Sequence, residues 1–307
     1  MIVSKAAAVA AATAFRAVFN KALQGASEST FVRWLAQQVT DAADAVNYNW
    51  LAAIPGMKEL KAAAEIAGLE LITWTVLNKP WHDTIEVKES DIAHDRLGLY
   101  NQRFEMLAAA GGRHPDELAA AALLNGFTAK DYTGVAFFHN SKKHFPGAKN
   151  TFDNKLELAL TSENFDTAVA MLQTSKIVFP DGSETKLALG KDLVLICGPN
   201  NRAAALKILN ADLVIEDDVA VSNVNKGTAK LEVWPELGSS LAWFLIDRMS
   251  LLKPLVYQVA EPVRLNSCTN PDDSHVIKHH TYLNQAYGVY NVGYFMPQAI
   301  VGSTGGE

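Results

Sequence analysis

From Leu69 to Ile92 the chain reads LELITWTVLNKPWHDTIEVKESDI, with period-two alternation on both sides of one turn signal. Trp74 and Val76 alternate with Thr73 and Thr75 before Asn78-Lys79-Pro80. Trp81, Asp83, Ile85 and Val87 alternate with His82, Thr84 and Glu86 after it. This pattern predicts a β-hairpin. Each arm of roughly eight or nine residues would reach on the order of 30 Å. A two-stranded ribbon of that length is marginal in water by itself. Something must therefore cover it, either its own domain or a neighbouring molecule, and the pattern leaves both open.

The remaining composition narrows the field. A chain of 307 residues can form one large domain or two modest ones and bury a substantial core. An apolar fraction of 49% and a charged fraction of 20% are those of an ordinary soluble protein. The net charge of −6 gives no sign of the basic face that grips nucleic acid. Two cysteines build no disulfide framework. Cys197 ends the apolar run LVLIC and reads as a buried hydrophobe, Cys268 sits in the polar loop NSCTNPDD, and a reducing compartment is expected. Lys5 followed by alanines mimics a signal peptide, but Arg16 and Lys21 continue the helical pattern and argue against one. No apolar run approaches the ~18 residues of a membrane span. A soluble protein made in the cytosol is the expectation.

Residues 5–24 predict an alanine-rich helix that stops near Gly25. Large apolar side chains are sparse over the first fifth of the chain, which reads as an arm that packs on something else. Asp91 is placed to cap a helix through Ile92, Leu99, Phe104 and Leu107; Gly111-Gly112 and His114-Pro115 interrupt it. PDELAAAALLNG then restarts with proline and two acids and stops at Gly126, giving one kinked helix or two in series. The loop 133–155 carries four lysines against one aspartate, with His139 and His144. It reads as a solvated loop whose basicity, at Lys142 and Lys143 above all, suits contact with an acidic neighbour. Ser162 is placed to cap a helix through Phe165, Val169 and Leu172. LVLIC-GPN and the helix after it form a βα unit without G-x-G-x-x-G. AKLEVW, AWFLID and PLVYQVAEPVRL read as strands, and the stretch from Ser274 to Gly302 as two more, bent near Asn291–Gly293, with STGGE exposed. Gly288 and Gly293 are spaced like phosphate-loop glycines, yet Tyr294-Phe295 stand where such a loop needs Lys-Ser/Thr. They read as a bend or a close backbone approach.

No catalytic grouping forms a pattern in the sequence. Cys197 with His279 or His280 is conceivable, but a thiol ending a greasy strand is usually inert. His279 and His280 on a strand would face apart, as would Asp217 and Asp218. HExxH, CxxC, G-x-S-x-G and P-loop signatures are absent. No enzyme activity, metal or cofactor is expected.

One ordered set of segments carries more information: MIVSKAAAVAAATAFRAVFNKAL, NWLAAIPGMKEL, TIEVKESDIAHDRLGLY, HPDELAAAALLNGFT, AFFHNSKKHF and WFLIDRMSLLKPLVYQ. Together they resemble the major head (capsid) protein of Mu-like bacteriophages over nearly the whole chain. The resemblance implies an α+β tailed-phage capsid fold of the Hong Kong phage type, which encapsulin shells share. By order, 1–68 would be the N-terminal arm and approach, 69–90 the extended loop, and 91–155 the spine helix and peripheral domain. Residues 156–262 would hold the axial domain with its return strands, and 263–307 the C-terminal peripheral strands. It also implies hexamers and pentamers of this chain, forming an icosahedral head around double-stranded DNA without sequence-specific binding. A separate scaffolding protein, a head protease, a portal and possibly a decoration protein would be partners. The chain would belong to the virion, and to the host cytoplasm during assembly. The subunit-interface candidates are then Trp74, Val76, Lys79, Trp81, Ile85, Val87, Lys142 and Lys143. An encapsulin-like compartment holding cargo enzymes is the alternative.

Overall fold

The computed structural model describes residues 3–28, 30–41, 45–47, 74–178, 184–216 and 219–306. It begins with helix α1 (Lys5–Glu28), a single turn α2 (Val32–Leu35), and strands β1 (Ala36–Thr40), β2 (Ala45–Asn47), β3 (Thr75–Leu77) and β4 (Lys79–Lys88). A short α3 (Glu89–Ala93) precedes the long helix α4 (Gly98–Asn125). Small strands follow at β5 (Lys142–Lys143), β6 (Thr151–Phe152) and β7 (Lys155–Leu156), then α5 (Ser162–Gln173), β8 (Lys176–Val178) and β9 (Glu184–Lys186). The rest comprises β10 (Leu193–Cys197), α6 (Arg202–Asn210), β11 (Leu213–Glu216), β12 (Val219–Ser222), β13 (Ala229–Val233), β14 (Trp243–Asp247), β15 (Leu255–Ser267), α7 (Ser274–His279), β16 (Thr281–Tyr294) and β17 (Ile300–Ser303).

Two open sheets organise these elements. The first has order β1-β15-β16-β4, the second β13-β10-β14-β17-β7. The second explains the runs LVLIC and WFLID. Leu193, Leu195, Cys197, Trp243 and Leu245 share one core with Phe165, Leu172, Ala205 and Ile208 of α5 and α6. Val194, Ile196, Phe244 and Ile246 join another core with Leu123 of α4, Phe137, Phe138 and Trp234. A strand buried on both faces needs a continuous apolar run. Asp247 ends β14 inside this core. Burial would raise its carboxyl, but backbone N–H groups of Gly190 (2.7 Å), Lys191 (3.0 Å) and Met249 (2.8 Å) hold it below the usual carboxylate range.

The first sheet departs from the hairpin expectation. β3 and β4 do not pair across Asn78; β3 pairs antiparallel with β2, and β4 with β16. The alternation is genuine, but a period of two says that a segment is half-buried, not which strand lies beside it. Residues 69–73, the outer part of the expected first arm, lie outside the described residues, as do Asp217 and Asp218.

The arm also differs from expectation. Ala8, Ala11, Ala12, Phe15 and Phe19 form a buried stripe on α1, and Phe15 stacks on Phe104 of α4 with centroids 4.3 Å apart. Small alanines let the two helices approach closely, so α1 packs on its own chain. α4 runs unbroken through Gly111-Gly112 and Pro115. A proline removes one helical hydrogen bond and disturbs its turn, which the packing here outweighs. Asp116, read as a first-turn acid, instead accepts the backbone N–H groups of Phe31 (3.0 Å) and Val32 (2.9 Å), tying α2 to α4.

At the C-terminal end, Ser274–His279 is helix, not strand, and β16 runs straight through Asn291–Gly293. The irregularities sit on β15, between Val259 and Arg264. Gly293 serves close approach: a Cβ there would lie 2.6 Å from Val76 Cγ2. Ile300–Ser303 belongs to the second sheet, between β14 and β7, and not to the strand before it. Ser303 and Gly305 are buried, so STGGE is no loose end over its described residues. No helix among the described residues is long and apolar enough to cross a membrane.

Candidate assembly interface

β4 forms one edge of the first sheet, and most of its ten residues are exposed. Its interior neighbour β16 is long and regular, so β4 is held in register from Lys79 opposite Tyr290 to Lys88 opposite Thr281. Among the described residues no strand pairs with the side of β4 away from β16, the kind of edge that proteins must shield or use. Lys79 is exposed there and Ile85 is half-buried. Val87 is buried beneath, against the α1–α4 core.

Trp81 is half-buried, and its Nε1 donates to the Tyr290 carbonyl at 3.0 Å. Its ring meets His114 of α4 edge-on, with centroids 4.4 Å apart, while His114 Nδ1 lies 2.9 Å from the Tyr290 hydroxyl. Burial pushes the His114 imidazole down and the Tyr290 phenol up, which favours neutral partners in this contact. These groups line a groove of about 180 Å³ between α4 and the sheet, floored by Gly111 and Gly288. Trp74 packs beside Val76 against the core that holds Val256 and Phe295.

Three of the eight interface candidates lie inside the single subunit. Val76, Val87 and Lys142 are buried within their own subunit. Val76 packs with Val256 and Phe295, and Val87 with the α1–α4 core. Lys142 was read as solvated, yet its side chain and that of Asp131 are both fully enclosed, with Nζ 2.7 Å from Oδ2. The companion charge that drew it inward stands eleven positions earlier, outside the loop as read. Lys143, next along, is exposed. The surface thus retains Lys79 and Lys143 outright, and Trp74, Trp81 and Ile85 in part.

Sequence reading passed over a second surface. Leu99 and Met106 of α4 are 71% and 66% exposed. Seven residues apart, they share a helical face opposite Phe104 and Leu107. The turn after β14 presents Leu251, 89% exposed, with Met249 beside it. A helical-wheel count would have flagged the first pair, whereas nothing local marks the second.

Cys197 is buried within the second sheet, and desolvation pushes its thiol up to about 11. His280 instead pairs with Glu89 at 3.0 Å, at the α3–α7 corner of the first sheet. Among the described residues no three His, Cys, Asp or Glu side chains are grouped to hold a metal ion.

The family model described as Mu-like prophage major head subunit gpT matches residues 9–176 and 235–306. The chain is 28% identical over 151 residues to the major capsid protein of Escherichia phage Mu, covering 49% of each chain. It is 33% identical over 91 residues to the Mu-like prophage FluMu major head subunit of Haemophilus influenzae, covering 30% of each. It therefore spans about half the length of the first relative and less than a third of the second. Among solved structures, the procapsid of bacteriophage JBD30 aligns with a TM-score of 0.57 at 22% identity, over 95% of this chain and 74% of that one. The virus-like particle from Pyrococcus furiosus aligns with a TM-score of 0.52 at 10% identity, over 95% of this chain and 98% of that one. These likenesses show the fold: the mixed helix-and-sheet architecture of tailed-phage capsid proteins, with open sheets among the described residues. By its sequence match over residues 9–176 and 235–306, the chain belongs to the Mu-like prophage major head subunit gpT family.

Proposed function

We propose that this chain is the shell subunit of a phage head, assembling with copies of itself into hexamers and pentamers that enclose double-stranded DNA. The observation that carries this reading is the family match on both sides of the fold, residues 9–176 and 235–306. The surface supports it: an exposed edge strand at β4, an apolar pair on the outer face of α4 and an exposed Leu251 all need cover that one copy does not supply. The net charge of −6 suits a container, because a wall that gripped phosphates would hinder the movement of its contents. Lys79, Lys143, Trp74, Trp81 and Ile85 remain the contact candidates on this reading. A scaffolding protein, head protease and portal would act with it in the host cytoplasm. The encapsulin-like compartment is less supported, because the matching family is one of phage head subunits.

Negative-stain imaging of the purified protein tests the proposal. Shells, rings or capsomers are expected, and a monodisperse small monomer at high concentration would overturn it. Nuclease-protected double-stranded DNA inside particles from infected cells would support the head over the cargo compartment.

A further inference from the structure

We propose that Lys142 and Asp131 are joined by an intramolecular isopeptide bond, formed without a separate enzyme within the folded subunit. The two side chains are fully enclosed, and Nζ lies 2.7 Å from Asp131 Oδ2. The contact is a buried ion pair, and the amine also donates to the Ala136 carbonyl, at 2.7 Å. These two contacts hold Nζ against the carboxyl group, an arrangement that suits approach to the carboxyl carbon. The other oxygen, Oδ1, accepts from the backbone N–H of Thr133 at 2.9 Å and from its hydroxyl at 2.6 Å. Two donors on one carboxyl oxygen, in a fully enclosed site, form an oxyanion hole.

The surroundings hold this geometry and keep it dry. Lys130 and Ala136 bridge across the turn that carries Asp131, and β5 pairs Lys142 with Phe152. Phe137 stands 5.9 Å from Nζ and stacks on Tyr294, and Tyr132 is buried beside it. Desolvation pushes the lysine down, toward the neutral amine that a nucleophile requires, although Asp131 opposes it.

The step balances within the pair. The ammonium passes one proton to Oδ2, leaving a neutral amine and a carboxylic acid. The nitrogen lone pair forms the N–Cγ bond, and negative charge gathers on Oδ1 between the two Thr133 donors. The C–Oδ2 bond then breaks, and Oδ2 leaves as water with the second proton from nitrogen. The product is a neutral amide, which removes two charges from a site where burying charges is costly. No oxidant, metal or co-substrate takes part.

Intact-mass measurement of the purified, denatured full chain tests this. The wild type is expected to be lighter than its sequence by one water, and Lys142→Arg to sit at its full sequence mass. Trypsin should leave residues 131–143 as one peptide, uncut after Lys142 and lighter by the same water, with no backbone fragment ions from inside the ring. Thr133→Val, which keeps one of the two donors, should slow the loss of water by roughly a hundredfold. A wild-type chain at full sequence mass after prolonged incubation would show an ion pair alone and overturn the proposal. A water loss mapped to any other peptide would do the same. Both masses are read on denatured chains, so a variant that folds poorly still gives an answer.

Discussion

A single buried side chain can set how this subunit responds to acid. His144 is almost fully enclosed, stacked near Phe152, and neither ring nitrogen has a hydrogen-bond partner. Burial, aided by Lys176, pushes its imidazole from the ordinary 6.5 down to about 4. The sign follows from linkage: above 6.5 folded and unfolded rings are both neutral and stability is intact. As pH falls from 6.5 toward 4 the unfolded ring takes its proton first, so stability is lost across that window. The loss should reach about 2–3 kcal/mol. Chemical melts between pH 7 and 4 should show that slope, and His144→Phe should flatten it. Lysines 142 and 143 make a second contrast. Lys142→Glu sets two buried acids together and should cost about 3–5 kcal/mol or abolish folding. Lys143→Glu, on the surface, should stay within about 0.5 kcal/mol in the same melt.

Among the helices, packing decides what propensity alone would not. Gly25 in α1 has nothing within 4 Å of a built Cβ, whereas a Cβ on Gly112 of α4 would lie 2.6 Å from Ala26 Cβ. Gly25→Ala should therefore stabilise by up to about 1 kcal/mol. Gly112→Ala should destabilise by about 1–3 kcal/mol despite the same gain in propensity, because α1 must move away. Thermal unfolding of the two variants side by side checks this. The same helices show what could be read in advance. The alanine-rich α1, the end of α4 at Gly126 and the buried run LVLIC are local patterns, and they were legible; Asp91, expected as a cap, lies within α3 and accepts from the Tyr100 hydroxyl instead. The partners of β3 and β4 were not, because pairing is a long-range property: β4 meets a strand about two hundred residues away. Trp81 was legible as an anchor by type. That it anchors to Tyr290 and His114 of its own chain was not, since only the tertiary fold brings those residues to it.

For the molecule as a whole, the exposed apolar pair on α4 should matter to assembly and not to folding. Leu99→Glu with Met106→Glu should leave the thermal midpoint nearly unchanged and shift the protein from large particles to slowly sedimenting species in a velocity run. Full-sized particles from that double variant would show that this face is not buried between copies. Removing residues 72–88, by contrast, would strip β4 from the first sheet and should leave the chain insoluble, so that deletion cannot isolate an interface. The residue pairs that close the first sheet carry a consequence for synthesis. β1 and β4 leave the ribosome early, yet the strands that complete their sheet, β15 and β16, come more than two hundred residues after β1. For most of translation the nascent chain therefore carries two early strands without their native partners. Exposed strand edges of this kind raise the demand for chaperones during synthesis, ahead of any assembly step.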